Sequence, residues 1–209
     1  MNHGRERELK YRIGSREDFL SLRDAPDWGE RGAVLAQLNY YFDTADLTLA
    51  RSRAMLRIRT AGDCVLTLKC GVEARPGYFD SLELEAEISE GSIAALLQKP
   101  ATLLDLLLPP IEELKRRFGR LEVSLLGRLH NERVRRTIDG LVLEVDRVTF
   151  PDGSELFELE IETDEILRAE AWVDSRLISH GLRLAPQRLT KLEELLKRQG
   201  SDLAFGRSS

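Results

Sequence analysis

Charged and aliphatic residues alternate in segment after segment of this chain, and that alternation limits its folds more than any other feature. In Leu82-Glu83-Leu84-Glu85-Ala86-Glu87-Ile88 three acids share one face and aliphatic side chains the other. Leu156-Phe157-Glu158-Leu159-Glu160-Ile161-Glu162 repeats the arrangement. A two-residue period is that of a β-strand, whose successive side chains point to opposite faces. The pattern starts at Glu6, Glu8, Lys10 and Arg12, set against Leu9, Tyr11 and Ile13. It returns with Arg57 and Arg59 opposite Leu56 and Ile58, with Lys69 opposite Leu68 and Cys70, with Arg133 and Arg135, and with Glu144 and Asp146. Like charges in register on one strand repel unless something of opposite sign sits among them.

The connections support hairpins. Ala61-Gly62-Asp63, Asp139-Gly140 and Pro151-Asp152-Gly153 are short turn sequences between alternating runs. A second strand is expected over Ala33–Phe42, and Gly71–Gly77 reads as a mobile loop around Arg75-Pro76-Gly77. Helical spacing marks the other segments. Ser15 caps a helix carrying Phe19, Leu20 and Leu22, and Thr44 caps a short one carrying Leu47 and Leu49. Gly91–Phe118 forms a helical insertion, Glu165–His180 a helix ended by Gly181, and a last helix follows Pro186 through Arg198. The fold class is α+β with eight strands. The helices need apolar surface, and the aliphatic strand faces can supply it from outside the sheet. The charged faces would then close on themselves as an eight-stranded antiparallel β-barrel, a tunnel with a charged interior. An open sheet with its charged face in water remains the alternative. Residues 1–200 are expected to form a single domain, followed by a disordered tail over 201–209.

With 31 basic against 36 acidic side chains the net charge is -5, so no overall basic field exists for nucleic acid. No apolar run long enough for a membrane span and no signal peptide is visible, which leads to the expectation of a soluble cytoplasmic protein without membrane partners. Cys64 and Cys70 share a strand face about 20 Å apart, too far for a disulfide, and read as buried small residues. His3, His130 and His180 show no ligand spacing. A homodimer is an admissible assembly, but no exposed apolar stripe can be told apart from the helix-packing faces.

An enclosed space holding both charge signs suits a polyanion with divalent metal, the bases holding phosphoryl oxygens and the acids Mg²⁺ or Mn²⁺. Glu6-x-Glu8-x-Lys10 resembles the E-x-E-x-K signature of the CYTH family, the triphosphate tunnel metalloenzymes. Also similar, in order, are Tyr41-Phe42-Asp43-Thr44, Leu56-Arg57-Ile58-Arg59, Leu66-Thr67-Leu68-Lys69, Leu143-Glu144-Val145-Asp146, Glu158 to Glu162, and Thr190-Lys191. The resemblance implies a tunnel that binds a small triphosphate and a divalent metal. It implies that Lys10, Arg57, Arg59, Lys69, Arg133 or Arg135, and Lys191 hold the phosphates. Glu6, Glu8, Glu158, Glu160 and Glu162 would hold Mg²⁺ or Mn²⁺, with Glu83, Glu85, Glu144 and Asp146 around a second metal or its water. Asp80-Ser81 stands where family members often carry arginine, leaving the choice among Glu83, Glu85 and Glu87 open. Glu87, Arg12 and Arg136 read best as surface charges. The implied activity is metal-dependent hydrolysis of inorganic triphosphate, thiamine triphosphate or ATP. An adenylyl cyclase and a non-catalytic polyphosphate- or nucleotide-binding module are the rivals.

Overall fold

In the computed structural model, which describes residues 3–201, the alternating segments close into a barrel. The strands are β1 (His3–Ile13), β2 (Glu30–Asp43), β3 (Ala54–Thr60), β4 (Cys64–Arg75), β5 (Tyr78–Glu87), β6 (Ser124–Ile138), β7 (Leu141–Thr149) and β8 (Glu155–Glu162). Around the barrel they run β5-β4-β3-β2-β6-β7-β8-β1, all antiparallel, and β1 returns to pair with β5. A short β9 (Leu184–Pro186) adds to β1 beyond β5. β1 is the seam: Glu8 to Arg12 face β8, while its other edge meets β5 and then β9.

The helices are α1 (Arg16–Asp24), α2 (Thr48–Arg51), α3 (Ile93–Gln98), α4 (Pro109–Phe118), α5 (Ile166–Trp172) and α6 (Lys191–Arg198). Two apolar layers lie outside the barrel. In one, Phe19 and Leu22 of α1 and Ala169 of α5, with Val173 and Leu177 just beyond it, cover Leu9, Tyr11, Leu143, Val145, Leu159 and Ile161. In the other, Ile93, Leu96, Leu103, Ile111 and Leu114 of the insertion cover Leu56, Ile58, Leu66 and Leu68, along with the buried free thiols of Cys64 and Cys70. Each side chain of this kind contributes about 1.5–3 kcal/mol on burial, so the outside of the barrel carries the driving force for folding. That leaves the inner face free to be polar.

A third cluster lies across one end of the barrel. There Leu192, Leu195 and Leu196 of α6 pack on Tyr41, Leu129, Val148, Phe150 and Leu156. The inward rows that carry Glu158 and Asp146 continue as Leu156 and Val148, so α6 seats on an apolar floor. Its start is fixed by a capping box in which Thr190 Oγ1 accepts from the Glu193 amide (3.2 Å) and Glu193 accepts from the Thr190 amide (2.6 Å).

The structure corrects several expectations. Gly71–Gly77 is no loop: β4 runs on to Arg75 across a bulge after Gly71, and only Pro76-Gly77 turns the chain into β5. The second strand is longer than Ala33–Phe42 and overhangs the barrel wall, with Glu30–Ala36 exposed. Thr44 does accept the Thr48 amide (2.9 Å), but Asp43 carries more of the cap, accepting from Thr44, Leu49 and Ala50. Arg136 is not a surface charge. Only 1% exposed, its guanidinium donates to the carbonyls of Arg23 (2.6 Å), Ala25 (2.7 Å), Trp28 (2.8 Å) and Gly29 (3.0 Å), tying the end of α1 to β6. The turn of Asp139 and Gly140 behaves as expected, both residues having positive φ (52° and 78°), as a tight hairpin requires. Within the described residues no helix is long and apolar enough to cross a membrane. Of the expected tail, residues 202–209 lie outside the described residues.

Candidate active site

Because the strands alternate, inward-facing residues from all eight strands line one space of about 1130 Å³. All the candidate residues except Asp146 and Glu158 line it: Glu6, Glu8, Lys10, Arg57, Arg59, Lys69, Glu83, Glu85, Arg133, Arg135, Glu144, Glu160, Glu162 and Lys191. The open choices resolve geometrically. Glu83 and Glu85 face the tunnel, and Glu87 is exposed at the strand end. Arg133 is inside, and Arg135 stands at the rim, pairing with Glu144 at 2.8 Å. Asp80 points outward, away from these acids, and is held by Arg5 (2.6 Å) and the Tyr78 hydroxyl (3.1 Å).

Two ionic groups form on adjoining walls, because β1 pairs with both β8 and β5. On the β7–β8 wall, Asp146 and Glu158 sit fully buried behind the cavity surface, beside Glu160. Lys191, brought in by the first turn of α6, touches all three carboxylates at 2.7–3.0 Å. Arg133 reaches Asp146 and Glu160, each at 2.6 Å, and also pairs with Glu144. Lys10 meets Glu160 at 2.9 Å and Glu8 at 3.1 Å. On the β1–β4–β5 wall, Lys69 pairs with Glu6 and lies 3.5 Å from Glu8 and 4.0 Å from Glu83. Arg57 and Arg59 are loosely held, 3.9 Å from Glu83 and 3.8 Å from Glu85, and their buried Nε atoms have no protein acceptor.

The titration behaviour follows this layout. Burial alone would push Lys10 and Lys191 down, but the carboxylates around each more than offset it and both ammonium groups end raised. Burial alone would push Glu160 and Asp146 up; Lys10, Lys191 and Arg133 hold Glu160 well below the carboxylate range, and Arg133 and Lys191 hold Asp146 low. Glu162 goes the other way. Burial raises it, and Glu6, Glu144, Glu83 and Glu8 raise it further, so negative charge is in surplus at that rim.

The donor set suits a hard divalent cation. Oxygens of Asp146, Glu158 and Glu160 lie within 4.8 Å of one another. Glu6 Oε2 and Glu158 Oε2 are buried and, although a lysine ammonium lies near each, neither receives a hydrogen bond of proper geometry.

Sequence reasoning missed the uncharged members of the inner wall. Gln37, Asn39 and Tyr41 of β2 line the tunnel with Asn131 of β6, which donates to Gln37 (2.9 Å) while its own Oδ1 and that of Asn39 stay unpaired. Thr67 donates to Glu85 (3.1 Å), and Gln187 donates to Glu158 (2.7 Å). The signal was there: Gln37-x-Asn39-x-Tyr41 keeps the two-residue period without charge.

A family model described as the CYTH domain matches residues 4–191. The chain belongs to the CYTH family. Among solved structures, this CYTH chain is similar to HpAC1 from Hippeastrum, described as a candidate adenylyl cyclase that reveals a dominant triphosphatase activity. The TM-score is 0.83 at 27% identity, covering 95% of this chain and 98% of that one. It also shares the fold of a protein from Bacillus halodurans described as a candidate adenylate cyclase (TM-score 0.72, 22% identity, 91% and 98% covered). A third neighbour with this fold is PH1819 from Pyrococcus horikoshii (TM-score 0.60, 21% identity, 91% and 99% covered). No curated protein sequence matches the chain.

Proposed function

We propose that this CYTH protein hydrolyses inorganic triphosphate or a related small triphosphate with the help of Mg²⁺ or Mn²⁺. The observation that carries the reading is the pairing, inside one closed tunnel, of loosely held arginines with converging carboxylates. Arg57 and Arg59 lack a close acid, while Glu6 and Glu158 each keep a buried oxygen that has a lysine ammonium nearby but receives no well-formed hydrogen bond. A polyanion and a divalent cation satisfy both deficits together. The dominant triphosphatase activity described for the Hippeastrum protein supports the same choice.

Arg57, Arg59, Lys69, Lys10, Arg133 and Lys191 hold phosphoryl oxygens along the chain of the substrate, with Arg135 at the rim. Glu6, Glu8, Glu158, Glu160 and Glu162 are the residues that would hold the cation, with Asp146 and Glu144 beside them. When bound, a divalent cation neutralises phosphoryl oxygens and fixes the substrate in register. Glu83 and Glu85 face the tunnel from β5 and position a water in line with the terminal phosphorus. One carboxylate oxygen takes the water's proton as the new P–O bond forms and the bond to the pyrophosphate leaving group breaks. Catalysis of this kind is positioning and charge stabilisation. Lys191 ties the reaction space to α6, so the substrate site is complete only when the helix is seated.

Glu8→Gln should abolish Mg²⁺- or Mn²⁺-dependent phosphate release and leave the circular dichroism spectrum and melting temperature close to wild type. A variant that is folded and still active sinks the assignment. Running the same assay on ATP, with cyclic AMP and free phosphate both quantified, separates hydrolysis from cyclisation. Comparing inorganic triphosphate, thiamine triphosphate and ATP under each metal fixes the preferred substrate.

A further inference from the structure

The lining of the tunnel has opposite character at its two ends. At the end away from α6, the rim carries Glu6, Glu85, Glu144 and Glu162 against Arg59 and Arg135. Beside α6 the balance reverses: Arg12, Arg51, Arg53, Arg75, Arg188 and Lys197 line the cavity, against Glu73, Glu193 and Glu194. Part of this basic set is engaged. Arg75 pairs with Glu170 at 3.3 Å and Arg12 lies 3.8 Å from Glu194. Arg53, Arg188 and Lys197 have no carboxylate within 4.0 Å among the described residues, and all three are exposed. Like charges gathered without partners repel each other, so the fold itself gains nothing from them.

Arg53 is also held in place. It adopts a left-handed backbone conformation (φ 55°), one that a non-glycine residue occupies only under strain and that clusters at functional positions. The Gly71 amide donates to the Arg53 carbonyl at 2.7 Å. A Cβ at Gly71 would come within 3.1 Å of the Arg53 Cβ and 3.2 Å of its carbonyl oxygen. The bulge that carries β4 past Gly71, where the sequence reads as a loop, thus supports the arginine from below.

A chain of net charge -5 repels a polyanion at long range, so a triphosphate needs a local field to find the tunnel. We infer that the opening beside α6 is the inlet for the polyanionic substrate, with Arg53 and Arg188 as the residues that steer and orient it. This rests on the triphosphate reading of the tunnel. Neither arginine holds the reacting phosphorus, so both act on capture and not on the chemical step.

The test is the double variant Arg53→Glu, Arg188→Glu, assayed on inorganic triphosphate over a range of ionic strength, with Glu87→Lys at the opposite end for comparison. The expected result is a fall in kcat/KM of about tenfold or more at low salt with kcat within about twofold, the difference shrinking as salt screens the field. Glu87→Lys should leave kcat/KM unchanged. An unchanged kcat/KM and salt slope in the double variant overturns the inlet, and so does a gain in Glu87→Lys that matches the loss expected at Arg53 and Arg188. Calorimetric affinity for triphosphate separates this inference from the reading beneath it. If wild type binds triphosphate without releasing phosphate, hydrolysis falls and a weakened affinity in the double variant still supports the inlet. If wild type does not bind triphosphate, both fall.

Discussion

Arg136→Met is the sharpest test of how the barrel is held to its covering helices. The guanidinium is nearly inaccessible and donates to four carbonyls between 2.6 and 3.0 Å away. Hydrogen bonds from a charged donor are worth about 1.5–3 kcal/mol each, but most of that gross gain is offset by removing the charge from water. One carbonyl, that of Arg23, keeps a second donor in Arg31 at 3.1 Å. The other three lose the guanidinium, and orphaned buried acceptors cost about 1–3 kcal/mol apiece, reduced where water reaches them. The net expectation is a loss of about 3–5 kcal/mol, the range seen when one side of a buried charged contact is removed. At about 2–4 °C per kcal/mol for a chain of this size, the melting temperature should fall by roughly 10 °C. Differential scanning calorimetry and a urea titration measure the change. The adjacent Arg135→Met, whose side chain is 66% exposed, should shift stability by no more than about 0.5 kcal/mol. A drop below about 3 °C for Arg136→Met, or equal drops for the two variants, refutes the view that the arginine is a structural tie.

Other measurements probe the tunnel and the outer layers. Asp146 and Glu160 titrate below their unfolded values, so the stability they contribute is fully present at neutral pH and drains away as pH falls below the ordinary carboxylate range, about 4. Urea midpoints from pH 7 to pH 3 should show that decline, and Glu160→Gln should flatten it. Glu162 has the opposite sign: its raised value means the ionised form costs stability as pH rises through it. Glu162→Gln is expected to raise the melting temperature of the ligand-free protein by a few degrees while weakening Mn²⁺ binding in calorimetry, and a lower melting temperature contradicts the crowding of acids at that rim. Burial raises both cysteine thiols, so native protein at pH 8 should react slowly with a thiol reagent and titrate two thiols rapidly only in denaturant.

The barrel was legible because a two-residue period survives in the sequence as plain alternation, and because turns such as Asp139-Gly140 carry their own backbone chemistry. The inward set was legible for the same reason: charge at every second position, repeated on strand after strand, is expensive unless it shares one enclosure. What stayed hidden has physical causes. Gly71–Gly77 looks like a loop because residues 71 and 73–76 are exposed, and the segment keeps no regular apolar row. Arg136 looks like a surface residue because its partners are backbone carbonyls more than a hundred positions away, and a carbonyl leaves no mark on residue identity. The depth of Asp146 and Glu158 behind the cavity surface depends on Lys191 arriving from α6, a contact that alternation along a strand cannot encode.

The seam formed by β1 has a kinetic consequence. Its ladder partners are drawn from β5, β8 and β9, so contacts such as Glu8 with Glu162 join nearly opposite ends of the sequence. Loop closure of that length must be completed before the pairing rewards it, and chains dominated by such pairings fold in milliseconds to seconds. During synthesis the first strand to emerge must wait, unpaired at one edge, until β8 has left the ribosome. Its row of Glu6, Glu8, Lys10 and Arg12 then has a second use, as charge that keeps a waiting strand edge from pairing with another chain.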